Sequence, residues 1–202
     1  AENFNGNLSN WDVSNVTNME FMFYDAPNFN ADLSKWNVGS VTNMSNMFNN
    51  AENFNGNLSN WDVSNVTNME FMFYDASKFN SDLFKWNTNK VTNMDAMFMH
   101  AKNFSGRGIS NWVVSCVTNM SDMFHCAENF NEDISNWDVR NVTNMSYMFS
   151  QAHSLNSDLS KWIVSKVTNM ESMFCGLENL NVDLSKWNVS GVTNMSGMFS
   201  YF

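Results

Sequence analysis

Eight tryptophans (Trp11, Trp36, Trp61, Trp86, Trp112, Trp137, Trp162 and Trp187) fall 25 residues apart, with one interval of 26 where Gly106-Arg107-Gly108 carries an extra residue. Aligned on them, the 202 residues reduce to one unit, A-x-x-F-N-x-D-L-S-x-W-x-V-S-x-V-T-N-M-x-x-M-F-x-x. Thr-Asn-Met followed by x-x-Met-Phe is present in all eight copies, and residues 1–26 and 51–76 are identical. Self-similarity at a fixed period of roughly 20–50 residues marks an architecture of stacked units, each too small to bury its own apolar face. One elongated repeat domain over residues 1–202 is therefore expected, with units starting near residues 1, 26, 51, 76, 101, 127, 152 and 177. Neither end shows the atypical polar unit that usually caps a solenoid, which predicts that these residues are a segment of a longer stack.

Two periodicities share each unit. In Leu33-Ser34-Lys35-Trp36-Asn37-Val38, apolar Trp36 and Val38 alternate with polar neighbours, the period of a strand. In Thr42-Asn43-Met44-Ser45-Asn46-Met47-Phe48-Asn49-Asn50-Ala51, the residues Met44, Met47, Phe48 and Ala51 sit at i, i+3, i+4 and i+7, one face of a short helix. Thr is a good N-cap there, and Glu20, Glu70 and Glu171 complete a Thr-x-x-Glu capping box. Such a helix has only about two turns and would not survive alone in water, so packing on adjacent copies must hold it. Between helix and strand, Phe29-Asn30-Ala31-Asp32-Leu33 carries the Asn and Asp of tight turns, whose stacked copies can form side-chain ladders. The expected class is α/β, eight strand-plus-short-helix units with one parallel sheet.

Charge narrows the partners. Ten Lys and Arg stand against twenty Asp and Glu, a net charge of −10. Binding to a phosphate backbone rests on clustered cations, so nucleic acid is not an expected partner. No apolar run approaches the ~18 residues that a membrane-spanning helix needs. An apolar share of 44% excludes a disordered chain.

The pattern Met-Phe-x-x-Ala-x-x-Phe-Asn-x-Asp-Leu-Ser-x-Trp-x-Val-Ser-x-Val-Thr-Asn-Met resembles the BspA-like leucine-rich repeat. It is most similar to the branch described as a bacterial surface-protein repeat and as a domain of unknown function in mycoplasmas. The resemblance covers essentially the whole chain and departs at few positions: Thr88 for the usual Val, Phe84 for Ser, and Leu155 and Leu180 for Phe. It implies a right-handed leucine-rich-repeat-like solenoid, a parallel sheet on one side and short helices on the other. It also implies a secreted or cell-surface protein engaged in adhesion, without enzymatic activity.

With Leu33, Trp36 and Val38 inward, the residues flanking each Trp face outward. The candidate interaction face is Asp12, Lys35, Asn37, Asp62, Lys85, Asn87, Val113, Asp138, Lys161, Ile163, Lys186 and Asn188. Along the first units Asp and Lys alternate, so that Lys35 lies between Asp12 and Asp62, and opposite charges at strand spacing attract. Two readings fit this face: a solvated surface tuned for solubility, or a ligand surface with apolar breaks at Val113 and Ile163. The Trp, Met and Phe columns fall on the inward positions and read as core. Sixteen of the seventeen Met lie in the Met-x-x-Met-Phe columns, where a flexible thioether fills irregular space.

Metal and catalytic chemistry find little purchase. His100, His125, Cys126 and His153 fall near the ends of the short helices of consecutive units, a conceivable zinc set, but a solvent-facing column with a helix-dipole rationale explains them too. Asp133, Asp158 and Asp183 occupy one column, a calcium-ligand pattern, although bonding to their own backbone is the commoner role of such residues. No metal and no cofactor is expected. Cys116, Cys126 and Cys175 lie too far apart for an internal disulfide. Catalysis needs unlike groups converging in one pocket, whereas copied units offer one surface eight times. The reading that follows is a non-enzymatic extracellular or cell-surface protein whose partner is a protein or glycan on another cell or matrix. The alternative is a building block of a rod or filament, in which copies of the chain stack end to end.

Overall fold

Successive 25-residue coils bond to one another through the main chain in the computed structural model, which describes residues 2–178 and 180–201. The Asn of each Thr-Asn-Met forms a parallel bridge to its counterpart one coil on, from Asn18↔Asn43 through Asn169↔Asn194. These seven bridges join all eight coils in sequence order. Beside them, the amides of Met19, Phe21, Phe23 and Asp25 donate to the carbonyls of Asn43, Ser45, Met47 and Asn49 at 2.8–3.1 Å. The same rungs recur up the stack, for example Met44, Asn46, Phe48 and Asn50 onto Asn68, Glu70, Met72 and Tyr74. Every second amide of this run therefore points along the stack.

That arrangement corrects the expected helix. Residues 42–51 and their copies form no α-helix; the only helical element among the described residues is a single 3-10 turn, Ile109–Asn111. An α-helix spends its amides on its own i−4 carbonyls, and here those amides are committed to the next coil. The amides between them close β-turns within the coil, Met47 onto Met44 and Asn49 onto Asn46. To turn so tightly while exposing alternate amides, each coil places two residues in the left-handed region, such as Phe21 (φ 58°) and Asp25 (φ 51°) or Asn46 (φ 57°) and Asn50 (φ 57°). The inward set predicted for the helix is nonetheless inward: Met44, Met47, Phe48 and Ala51 are all buried.

The expected parallel sheet through Leu33–Val38 is likewise absent among the described residues, whose regular pairing is the bridge column at Asn. The Trp segment is two β-turns, Trp36 onto Leu33 and Val41 onto Val38. Coil-to-coil linkage there passes through the indoles. Trp36 Nε1 donates to the Leu8 carbonyl at 3.0 Å, Trp61 to Leu33 at 3.1 Å, and the series continues to Trp187 and Leu159 at 3.0 Å. Adjacent indoles lie parallel, Trp36 and Trp61 with centroids 6.5 Å apart at 2°. Burying an indole normally obliges its N–H to find an acceptor, and the preceding coil supplies it.

Phenylalanine fills the opposite side of the core. Within one layer Phe48 stacks on Phe54 at 4.0 Å, and Phe73 on Phe79 at 3.9 Å. Between layers Phe48 meets Phe73 at 5.5 Å. Polar ladders run alongside: each Thr from Thr42 to Thr193 donates both its amide and its hydroxyl to the Thr carbonyl one coil back. The Asn30, Asn55 and Asn80 amides similarly donate to the side-chain oxygens of Asn5, Asn30 and Asn55. The extra residue of the 26-residue interval is absorbed at Gly108 (φ 88°), directly before the 3-10 turn. A Cβ there would lie 2.4 Å from the Phe84 backbone nitrogen.

Three substitutions test this account by chemical denaturation. Trp61→Phe keeps an aromatic ring but removes the bond to Leu33, whose carbonyl still accepts from Trp36; it should cost about 1–3 kcal/mol. Trp11→Phe, at a ring 56% exposed, should cost less than about 0.5 kcal/mol. Gly108→Ala adds left-handed strain to a backbone clash and should destabilise by about 2 kcal/mol or more.

Candidate functional site

The outward residues of the Trp turns form a set of parallel columns. Asp12, Lys35, Asn37, Asp62, Lys85, Asn87, Val113, Lys161, Ile163, Lys186 and Asn188 are all exposed, and Asp138 is half-buried. Beneath them Leu33, Trp36 and Val38 are buried, so each outward residue stands on a fixed base. Several first-column residues are tied down locally. Asp12 accepts from the Ser14 amide at 3.0 Å and Asp62 from the Ser64 amide at 3.0 Å, and these serine hydrogen bonds hold both carboxyls below the usual carboxylate range. Asn37, Asn87 and Asn188 make the same turn onto Gly39, Asn89 and Ser190.

The Asp–Lys alternation does not pair as expected. Among the described residues no ion pair joins Lys35 to Asp12 or Asp62. Lys85 instead donates to Asn60 Oδ1 at 2.8 Å, and Lys90 to Asn65 Oδ1 at 2.7 Å, one coil back. Asn60 and Asn65 stand in the same columns as these lysines, and an amide oxygen accepts from an ammonium, while an exposed ion pair gains little in water.

The apolar breaks are the part of the face that the structure gathers. Val113, Asp138 and Ile163 follow one another in consecutive coils, Val113 47% and Ile163 53% exposed. Asp138, Arg140, Lys161 and Ile163 line an open depression of about 280 Å³. Arg140 grips Asp138 with two bonds of 2.8 Å, and that contact holds the carboxyl down.

Asp133, Asp158 and Asp183 each accept from the amide two residues on, Ser135, Ser160 and Ser185, at 2.9 Å. Bonds from those serines lower all three carboxyls. The column is a stack of Asx turns. Among the described residues no three His, Cys, Asp or Glu side chains are grouped to hold a metal ion. His100 and His125 do approach, with ring centroids 5.6 Å apart, while His153 lies elsewhere, beside Leu155, Leu177, Glu178 and Leu180. His125 Nδ1 is 2.9 Å from Asp122 Oδ1. That carboxylate first, and the Cys126 side chain second, raise His125 from its usual value near 6.5 to about 9, whereas burial and the charge of His125 lower His100. Cys116, Cys126 and Cys175 are free thiols.

A second surface escaped the sequence reading. On the Met-Phe turns, Phe21, Tyr24, Phe71 and Tyr74 flank Asn46, Asn49, Asn50 and Glu70 around an open groove of about 450 Å³. An aromatic run continues from it: Tyr74 meets His100 edge-on at 5.9 Å, and His125 stacks on Tyr147 at 5.8 Å. These residues occupy the variable positions of Met-x-x-Met-Phe-x-x, which a helical reading distributes around a polar face. The available signal was the exact copying of residues 1–26 at 51–76, which repeats one aromatic pair two coils on.

The family model described as "Mycoplasma protein of unknown function, DUF285" matches residues 1–108 and again residues 100–202. No curated protein matches the sequence. A solved structure, that of a TLR13-ssRNA13 complex, aligns over 91% of this chain and 35% of its own at 10% identity with a TM-score of 0.27. The chain thus spans about a third of that chain's length, and the superposition is too loose to inform fold or partner. No helix among the described residues is long and apolar enough to cross a membrane.

His125 supplies a pH test. Its folded value lies above the unfolded one, so its contribution to stability is complete below about pH 6.5 and is lost as pH rises through about 9. NMR titration should find the ring protonated at neutral pH, and Asp122→Asn should return it toward the ordinary value and remove that pH dependence.

Proposed function

The chain belongs to the mycoplasma family of unknown function DUF285, whose model spans it from end to end, and from that premise we propose a non-enzymatic binding module displayed outside the cell. In this reading its repeat is of the BspA-like leucine-rich type, wound as a right-handed solenoid, and its partner is a protein or glycan on another cell or matrix. The observation that carries the reading is the contrast between the two sides of each Trp turn. The inward residues are nearly invariant and buried, while the outward column runs Asp12, Asn37, Asp62, Asn87, Val113, Asp138, Ile163, Asn188 on a base that does not change. A surface of that kind varies its chemistry coil by coil without disturbing the core. Weak contacts repeated along it add through effective concentration. Acid–base or nucleophilic catalysis needs a converging set of unlike groups, and the columns present like groups side by side.

A second reading is a structural one. The first coil leaves Phe4 and Trp11 exposed, and the last leaves Met195 exposed. These are core columns that a further coil, from a continuation of the chain or from a second copy, would cover.

Labelled protein on cultured host cells separates the two. Binding by dilute monomers is expected, and Ile163→Asn, which installs the residue found at the same position as Asn37, should weaken it at least about threefold with the fold unchanged. End-to-end particles in electron micrographs, with no cell binding below the concentration that forms them, would transfer the case to the structural reading.

A further inference from the structure

We infer that the groove walled by Phe21 and Tyr24 on one side and Phe71 and Tyr74 on the other is a carbohydrate site that takes a pyranose ring over the Asn floor between them. This rests on the binding-module reading but places the ligand on a different surface, the Met-Phe turns.

The walls are two copies of one device. Phe21 and Tyr24 meet edge to face, centroids 5.4 Å apart at 79°, and Phe71 and Tyr74 lie 5.9 Å apart at 58°. The intervening coil carries no aromatic residue at these positions; it carries Asn46, Asn49 and Asn50. Two coil spacings of roughly 4.8 Å put the walls about 10 Å apart. That leaves room for a puckered ring in van der Waals contact at about 3.5–4.0 Å on either side. A volume of about 450 Å³ is within the usual span of small-molecule sites.

The floor matches hydroxyl groups. Each primary amide presents donor and acceptor together, the pairing that adjacent sugar hydroxyls require. Asn49 Nδ2 donates to Asn46 Oδ1 at 2.8 Å, which fixes both amides; Asn49 is itself buried, and the half-buried Asn46, through its Nδ2, and Asn50 supply the floor's polar groups. Glu70 Oε2 accepts from Asn93 Nδ2 at 2.7 Å, which anchors a carboxylate among the residues that line the groove. A sugar offers carbon–hydrogen faces to the rings and hydroxyl edges to these groups.

Backbone strain is the independent observation. Phe21 (φ 58°) and Phe71 (φ 53°) sit at the left-handed position that other coils give to Asn46, Ala96, Asp122, Tyr147, Ser172 and Gly197, so that five of the six other coils place a smaller residue there. A bulky residue there is strained by its Cβ against the backbone, and neither Phe21, 51% exposed, nor the half-buried Phe71 offsets that strain by full burial. A strained, outward aromatic that its own fold does not need is the pattern of a residue kept for contact.

The test titrates the whole chain with soluble oligosaccharides ending in glucose, galactose, mannose and N-acetylglucosamine, following side-chain NMR signals of Phe71 and Tyr74. At least one sugar should shift both signals saturably. Tyr74→Ala should weaken that sugar about tenfold. Phe71→Asn is the decisive variant, because it relieves the strain: it should unfold no earlier than the parent and still lose about tenfold in affinity. No shift with any of the four sugars, undiminished affinity in a folded Phe71→Asn variant, or displacement of the sugar by tetramethylammonium would overturn the inference. Host-cell binding that persists after enzymatic removal of surface glycans, and still depends on Ile163, would overturn it while leaving the binding-module reading standing. Absence of host-cell binding by the parent chain at every concentration below end-to-end association, with the sugar shifts intact, would do the reverse.

Discussion

Everything in this molecule follows from where one run of amides points. Through residues 19–25 and each of its copies, alternate N–H groups leave the coil and bond the next one, so no coil satisfies its own backbone. A buried main-chain donor without a partner is costly, and here it is the stack that pairs this run. The geometry demands left-handed residues at two places per coil. Those places hold Phe, Asn, Phe, Ala, Asp, Tyr, Ser and Gly at the first, and Asp, Asn, Asp, His, Cys, Gln, Gly and Tyr at the second. None is β-branched, as expected where a second heavy atom on Cβ would clash with the backbone. The Val and Thr of the unit all lie outside those two positions.

The same requirement explains which expectations held and which did not. Burial was legible because inward positions recur: Met44, Met47, Phe48 and Ala51 were placed inward and are inward. Their spacing of three, one and three suits an α-helix, but it suits equally a chain of tight turns that reverses direction every few residues. Apolar periodicity reports which way side chains point and is silent on where amides go. The clue to the second question lay in Asn, 37 residues of it. Asn43 closes a turn onto Ser45, and Asn46 and Asn50 take the left-handed positions. A true helix disfavours both uses of Asn. The indole ladder was hidden for a related reason: alternation around Trp36 predicted a buried ring, while its bond to Leu8 depends on the offset between coils, which the order of residues does not encode.

Surface chemistry was legible only where one column decided it. The outward set around Trp is exposed apart from the half-buried Asp138, because its neighbours Leu33 and Val38 fix the alternation. Lys85 and Lys90 bond to Asn60 and Asn65 at the matching position one coil back, where the charge alternation predicts carboxylate partners. The aromatic groove was missed because its walls come from different coils: Phe21 and Phe71 are fifty residues apart in sequence and two layers apart in space. Nothing within a single unit announces it.

A stack bonded only between neighbours has one further property. Its stability is close to a sum of coil and interface contributions, so a change on the outer side of one coil leaves distant coils as they were. Copying a two-coil block then does more than lengthen the rod, because the copy brings a second identical aromatic pair to a fixed distance from the first. The coil between them, free of the aromatic residues, becomes a floor with the depth of one missing side-chain layer. A composite surface arises in this way without any new fold, from residues that serve in each coil only to turn the chain. Phe21 and Phe71 show the cost of that route, since they hold aromatic rings at positions whose backbone favours Asn or Gly.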